Sequence, residues 1–391
     1  MMRRTLFLIA AWFLASPCTA SQLLVSSTSA RDTALSGSTV ADPRTPSAAM
    51  FSNPAGLVLF DKTTVDGSTA FSFANTRMDV SAPSTYDETN SVSVLSPAMG
   101  LALPSKGSWH FGFALYGSVG NKFDFGADPS EGVPDDFFSE AGIFTFGAGV
   151  AYRFSDRLSL GAAITPLFGL SHMRYTLGDL RFKYRLNGPG IQGMLGLRWE
   201  PRPGLAVGLG LRTPGKVWMD GSMPLGGSDQ DVDLDLKMPT QVFTGVSKHW
   251  GERLVTSLAV RWTDSSSFGD SMIEFEVTEA ADSPFVPGAK DEWLVSLGVE
   301  YIWNEFLTLR LGAGHANAIV GDKGVSPLLF DTRDTRVGVG FSLNFDPWSV
   351  DFMAGHAFRG SRDIGVDEAL ILPGRYSIDG QIAMIGITWR H

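Results

Sequence analysis

From Thr63 to the C-terminus the chain reads as segments with large apolar residues at every second position, the period of a pleated strand. In one segment Thr63, Val65, Thr69, Phe71 and Phe73 share a face, and Asp66, Ser68, Ala70 and Ser72 share the other. Trp109, Phe111, Phe113 and Leu115 alternate in the same way with His110, Gly112, Ala114 and Tyr116. Phe144, Phe146, Ala148, Val150, Tyr152 and Phe154 alternate with Thr145, Gly147, Gly149, Ala151 and Arg153. The dyad recurs at 205–211, 254–262, 293–303, 307–313 and 337–345. The second face is Gly, Ala, Ser and Thr, with scattered charges such as Arg212, Arg261, Glu300, Arg310 and Arg336. A two-sheet sandwich also alternates, with its large apolar face inward. Two features favour a barrel with that face toward lipid. The segments run to about 13–20 residues, against about 5 or 6 in globular sheets. Trp and Tyr also recur near segment ends, at Trp109, Tyr152, Trp199, Trp218, Trp250, Trp303, Trp348 and Trp389, where an interfacial aromatic girdle sits.

Turn signals fix the topology. Tight turns fall at Pro104-Ser105-Lys106, Ser155-Asp156, Pro201-Arg202, Gly251-Glu252, Asn304-Glu305 and Asp346-Pro347. Mostly longer connections alternate with them, near 81–88, 121–138, 177–180, 226–230, 278–289, 320–332 and 361–375. Six tight turns and seven outer connections join fourteen antiparallel strands, an even number as single-chain bacterial barrels require. Short turns are expected to face the periplasm and long loops the exterior.

Composition agrees with this class. The chain has 391 residues, 18% charged, with Gly 44 and Phe 27; a soluble protein usually carries about a quarter charged residues. Residues 1–20 read as a signal peptide: Arg3 and Arg4 form the positive end, Leu6 to Ala15 the apolar run, and Cys18-Thr19-Ala20 the small-residue cleavage site. The apolar run is shorter than the roughly 20 residues a membrane-spanning helix needs. Cleavage after Ala20 removes the single cysteine, and with it disulfide or thiolate chemistry. Losing Arg3 and Arg4 takes the formal charge from −10 to −12, which argues against a nucleic-acid partner. The six histidines are scattered, with no H-E-x-x-H pair, and no serine sits in a G-x-S-x-G elbow. No enzyme activity, metal or cofactor is therefore expected.

Residues 40–57, VADPRTPSAAMFSNPAGL, lie between the leader and the first strand pattern. Asp42-Pro43, Thr45-Pro46 and Asn53-Pro54 each push the residue before proline out of the helical region. Ala48 to Phe51 can form one apolar turn between these breaks. Such a segment ahead of a barrel reads as a plug folded into its mouth. At this point the chain resembles the outer-membrane long-chain fatty acid transport proteins, the FadL family, over essentially the whole mature sequence. The most specific piece is Asn53-Pro54-Ala55-Gly56-Leu57 after Ser47-Ala48-Ala49-Met50-Phe51, similar to the family's hatch motif. Leu209 to Thr213 with Met219-Asp220-Gly221, Leu236 to Pro239, Val260 to Asp264 with Ser266-Ser267-Phe268, Leu297 to Tyr301, and Leu307 to Gly312 resemble its later strands in order and spacing.

The resemblance implies a fourteen-stranded barrel at 58–391 closed by a hatch at about 21–57, in the outer membrane of a Gram-negative bacterium. It implies passive uptake of long-chain fatty acids or similar hydrophobic molecules, from an outer groove to a lumenal pocket and then sideways through the wall at a kinked strand. Asn53, Pro54, Ala55 and Gly56 are the expected gating residues. The family's long helical loop after the fifth strand shrinks here to Leu177-Gly178-Asp179-Leu180. Other expectations rest on the residues themselves. Arg212, Lys237, Arg261, Arg310 and Arg336 have inward parity, where a guanidinium can hold a carboxylate through paired hydrogen bonds; the alternative is a structural charge network with Glu300 and Asp351. Phe123, Phe125, Phe137 and Phe138 fall in the 121–138 connection among Asp124, Asp128, Asp135 and Asp136. They are candidates for the outer groove, or for packing the loop over the mouth. Gly112, Gly117 and Gly120 mark a bend or bulge in the third strand. The expected partners are a hydrophobic small molecule and outer-membrane lipid with lipopolysaccharide, around a monomer. Uptake of aromatic hydrocarbons, a passive porin or a structural barrel are the alternatives.

Overall fold

The computed structural model describes residues 25–80, 86–105, 107–125, 137–177, 180–225, 228–276, 283–366 and 373–391. Residues 1–24, Asp128, Asp135, Asp136, Gly178 and Asp179 lie outside these. The strands are β1 (Thr64–Val80), β2 (Tyr86–Pro104), β3 (Trp109–Phe125), β4 (Phe137–Ser155), β5 (Leu158–Leu177) and β6 (Leu180–Arg202). Next, β7 is Leu205–Arg212 continued by Gly215–Leu225, β8 is Ser228–Met238 continued by Gln241–Trp250, and β9 is Leu254–Thr263 continued by Met272–Phe275. The barrel is completed by β10 (Glu292–Ile302), β11 (Leu307–Ala316), β12 (Asp334–Phe345), β13 (Trp348–Arg359 with Ser361–Ile364) and β14 (Gly374–Arg390). Each pairs antiparallel with its neighbour, and Thr64↔Arg390 through Asp79↔Arg375 closes β1 on β14. This is the fourteen-stranded meander that the turn spacing predicts.

The lower half, nearest the tight turns, follows the expected polarity. Phe71, Phe113, Ile164, Leu195, Leu297 and Val339 are exposed on the outer face, and exposed Trp109, Trp199, Trp250, Trp303 and Trp348 ring the tight-turn end. The inner face of this half is small or charged. The outer half inverts the rule. There Met78, Phe123, Leu186, Met219, Val232 and Leu236 point inward into one apolar cluster, whereas Asp229, Asp231, Asp233 and Asp235 point outward. The expected uniformly polar interior is thus corrected: the polar lining stops where the wall leaves the lipid, and above it water outside and an apolar core inside reverse the pattern.

The inversion in β3 has a local cause. Gly117 pairs with Phe144 but Val119 pairs with Ile143, a bulge with one extra residue. One extra residue exchanges the two faces of everything beyond it. Phe111 and Phe113 therefore face out, while Phe123 and Phe125 face in.

Three neighbouring strands break at one level: β7 at Thr213-Pro214, β8 at Pro239-Thr240, and β9 at the 3-10 turn Ser265–Asp270. Proline cannot donate to a ladder, and buried Gln192 repairs part of the loss. Its Nε2 donates to the Thr213 and Pro239 carbonyls at 2.7 and 3.0 Å.

Candidate functional site: a plugged lumen beside an open seam

Inside the barrel lie α1 (Ala30–Ala34), α2 (Pro46–Ser52) and a 3-10 turn at Pro54–Leu59. The prolines delimit these pieces: Pro46 and Pro54 each open one, where a missing N–H costs nothing. Ser29 caps α1 by accepting from the Asp32 N–H at 3.1 Å. Met50, Phe51 and Leu57 are fully buried, because α2 lies in the middle of the lumen with wall on every side.

Seating so much backbone against a wall requires a wall without side chains. A Cβ on Gly208 would meet the Val40 carbonyl oxygen at 2.5 Å, and one on Gly312 the Ala34 carbonyl oxygen at 2.5 Å. Gly100, Gly161, Gly196, Gly210 and Gly298 face plug atoms in the same way, and Gly112 faces Leu57 and Met50. The inward glycines seen in the sequence thus serve the plug more than strand curvature.

Hydrogen bonds tie the plug to strands all round. Asn53, fully buried, donates from Nδ2 to the Leu197 carbonyl of β6 and to the plug's own Val40 carbonyl, both at 3.0 Å. Its Oδ1 accepts from the Ala55 N–H at 3.2 Å. Ser159 donates to the Ala55 carbonyl, Arg198 to the Ala41 carbonyl, and the Ser47 N–H donates to Asp66 on β1 at 2.9 Å. Asn53, Ala55 and Gly56 therefore sit where plug meets β5 and β6, with Pro43 packed against the Gly56 Cα.

Of the five basic candidates, four face the lumen and all four have protein partners. Arg310 pairs with Glu300 at 2.6 Å and with Asp351 at 3.0 Å, and Glu300 also receives Arg31 of the plug at 2.9 Å. Arg261 pairs with Glu292 at 2.7 Å, both buried, and donates to the Val25 carbonyl at 2.8 Å. Arg336 pairs with Asp334 and donates to Ser26. Arg212 differs: it has no carboxylate partner among the described residues. It donates to Gln241 (2.9 Å), the Phe51 carbonyl (2.6 Å) and the Tyr116 hydroxyl (3.3 Å), with Phe51 and Phe243 rings 5.0 and 5.6 Å from its Cζ. Lys237 is not lumenal. It lies on the outward face of β8 beside Asp270, at 3.6 Å, because the inward positions there are Val232, Leu234, Leu236 and Met238.

The phenylalanines are also moved. They extend β3 and β4 as Phe125↔Phe137 and Asp124↔Phe138, instead of lying in a loop. Phe123, Phe125 and Phe137 are buried in the outer apolar cluster, and only Phe138 faces outward. Residues 317–333 fold over this cluster as a lid, which parity reading along strands missed. Phe330 of the lid packs its ring, tilted, against Phe123 (4.8 Å) and Tyr376 (5.2 Å). Buried Asp331 latches it by accepting from the Ile319 and Val320 N–H groups at 2.7 and 3.1 Å, with Arg362 alongside.

One seam in the wall is unzipped. β2 pairs with β3 only from Pro104↔His110 to Met99↔Leu115, although β1–β2 runs from Thr64↔Ala102 to Val80↔Tyr86. Beyond Met99 no described residue of β2 pairs with β3. Pro97, with no N–H to give, stands just past the last pair. On the other lip is the Gly117 bulge, whose Ser118 carbonyl turns to accept from the Val25 N–H of the plug at 3.2 Å. Gly117 and Gly120 thus lie at the seam, and Gly112 below it, under the plug.

A plugged barrel with an apolar cluster in its outer half and an unpaired seam in its wall fits an outer-membrane transporter of hydrophobic compounds, the class that the family match gives. The profile described as Outer membrane protein transport protein (OMPP1/FadL/TodX) matches residues 8–369, and the chain belongs to that family. It is a family of transport channels in Gram-negative outer membranes. Among solved structures, a Pseudomonas aeruginosa FadL homologue aligns at TM-score 0.81 and 15% identity, over 95% of this chain and 99% of that one. The P. putida toluene transporter TodX aligns at 0.74 and 17% (95% and 99%), and the Ralstonia pickettii toluene transporter TbuX at 0.69 and 20% (93% and 98%). At these identities they share the fold. A comparison with curated protein sequences gives no match.

Proposed function

We propose that this transporter carries uncharged hydrophobic molecules passively from the exterior into the outer chamber and out through the β2–β3 seam into the membrane. One observation carries the reading. The single bulge at Gly117–Val119 both turns Phe123 and Phe125 into the chamber and ends the pairing of β3 with β2, so the binding surface and the exit are made by one feature. The chamber offers aromatic and aliphatic contact, worth about 25 cal/mol per Å² of cargo surface removed from water. Three of the lumenal arginines are already neutralised by carboxylates, which removes them as head-group receptors. The toluene transporters among the structural neighbours support an apolar cargo. The plug segment beginning at Val25 is the gate, since Val25 bonds both the Ser118 bulge and Arg261.

Arg212 supports a second reading, a long-chain fatty acid whose carboxylate displaces Phe51 from an otherwise unneutralised guanidinium. The two separate in one assay. Cells expressing the protein are given a labelled monoaromatic hydrocarbon or a labelled long-chain fatty acid. With Pro97→Cys and Gly117→Cys joined as a disulfide, uptake of the true cargo stops, and reduction restores it. Uptake through the cross-linked barrel at the native rate rejects the seam. A selective loss of acid uptake in Arg212→Gln establishes the second reading over the first.

A further inference from the structure

Lipid-facing apolar residues stop at one level on the β3–β6 side, and a cationic patch begins just above. Along β5, Leu158 to Phe168 is ten residue steps, or about 25 Å of height at the usual rise and tilt, which is the full apolar band of an outer-membrane barrel. His172 and Arg174 stand roughly 10 Å higher on the same face. Register places Lys122, Glu140, His172 and Arg185 side by side across four strands. One step further out, Asp124, Phe138, Arg174 and Lys183 form a second row. Four permanent cations thus face two carboxylates, and Lys122, Lys183 and Arg185 have no acidic partner among the described residues. Phe138 is the hub: Lys122 and Arg174 lie over its ring at 5.7 and 5.2 Å, and His172 packs against it at 4.8 Å. This holds the cations in a plane beside the lipid edge. The adjoining β7–β9 sector at similar height is acidic instead, with Asp220, Asp233, Asp235 and Glu274 together.

We propose that the β3–β6 patch binds the phosphate groups of the phosphorylated glycolipid that forms the outer leaflet. The match is in height and in charge. Phosphates there lie just above the acyl region, and ammonium and guanidinium groups bond phosphate oxygens through charge-assisted hydrogen bonds. An acyl chain of the same lipid continues down over Leu170, Phe168 and Ile164. A docked glycolipid would stand beside the outer lip of β3, next to the seam, and keep that sector of the barrel at fixed depth.

The test uses the purified full-length protein in detergent, with bis-phosphorylated lipid A as probe and native mass spectrometry as readout. Lys122→Ser, Lys183→Ser and Arg185→Ser combined should weaken binding at least tenfold. Removing both phosphates from the probe should do the same, and 0.5 M salt should weaken binding to the native protein. Lys216→Ser with Lys237→Ser, in the other sector, should leave it unchanged. The altered side chains are outward-facing, and a heat-dependent gel shift checks that each barrel is folded; Arg185→Glu alone provides a second variant. Equal binding by the triple variant, equal binding of dephosphorylated lipid A, or full competition by phosphatidylglycerol would overturn the proposal.

Discussion

Asn53 shows how one side chain can close a lumen. Its amide satisfies the Val40 carbonyl and the Ala55 N–H of the plug, and ties both to the Leu197 carbonyl of β6, a ladder residue in register with Leu160 and Leu209. Removing a buried donor strands its acceptors at about 1–3 kcal/mol, so Asn53→Ala should lower thermal stability of the plug by that order, read by protease nicking near residue 53 before the barrel melts. Gly196 gives the complementary test. A valine there meets the Asn53 side chain and the Ala55 backbone, which are rigid, so Gly196→Val should unseat the plug and raise ion conductance in planar bilayers; a silent channel would refute the seating. The asparagine was legible in the sequence because Asn-Pro-Ala-Gly can only be a turn and its place ahead of a barrel is distinctive. Its partner Leu197 was not, since a backbone carbonyl carries no mark in a sequence. Arg212, Arg261, Arg310 and Arg336 were correctly read as inward, and Glu300 and Asp351 were already the named members of a charge network; what stayed hidden were the plug partners Val25, Ser26 and Phe51, which lie far away in the chain. Lys237 was misread because parity was extended past the level where Pro239 interrupts β8.

At the scale of elements, alternation gave each strand its existence and its lipid-facing side, and the turns gave the order. It failed above the bilayer for a physical reason. A period of two records which residues share a face, but not which face is wet, and the Gly117 bulge exchanges faces without altering composition. The lid was hidden because its apolar residues, Ile319, Val325, Leu328 and Phe330, follow no period. Truncating Phe330 to alanine removes its ring from Phe123 and Tyr376, at a cost of about 3–5 kcal/mol for a buried Phe. The expected result is an opened chamber: faster labelling of a cysteine placed at Val325 and faster cargo binding. The latch should also respond to pH. Burial pushes the Asp331 carboxyl up to about 7 from its ordinary 3.8. Between these values the closed lid holds a proton that an open lid releases, so closure is favoured at low pH and weakens as pH rises toward 7. Labelling at Val325 should therefore increase from pH 5 to pH 8, and Asp331→Asn should flatten the rise.

As a whole molecule, the barrel is two storeys with opposite rules joined at the level of Pro214, Pro239 and the Ser265–Asp270 turn. The lower storey is greasy outside and filled by the plug; the upper is charged outside and greasy inside. On the proposed route, cargo that enters from above meets apolar wall until it reaches the plug, with the unpaired β2–β3 seam beside it. The plug's ties are spread over many strands, so deleting any one tie, unlike wedging a side chain under the plug, should not free it entirely. Combining Asn53→Ala with Glu300→Gln, which also weakens the hold on Arg31, should raise conductance more than either alone, and strict equality with the larger single effect would mean the two anchors act as one.

The row of aspartates at 229, 231, 233 and 235 has one more implication. Hydrocarbon cannot climb past four outward aspartates, so a bilayer thicker than the lower storey must thin itself at the β8 side. The protein thereby sets the local height of its membrane, and its depth should stay constant when acyl chains are lengthened by two or four carbons.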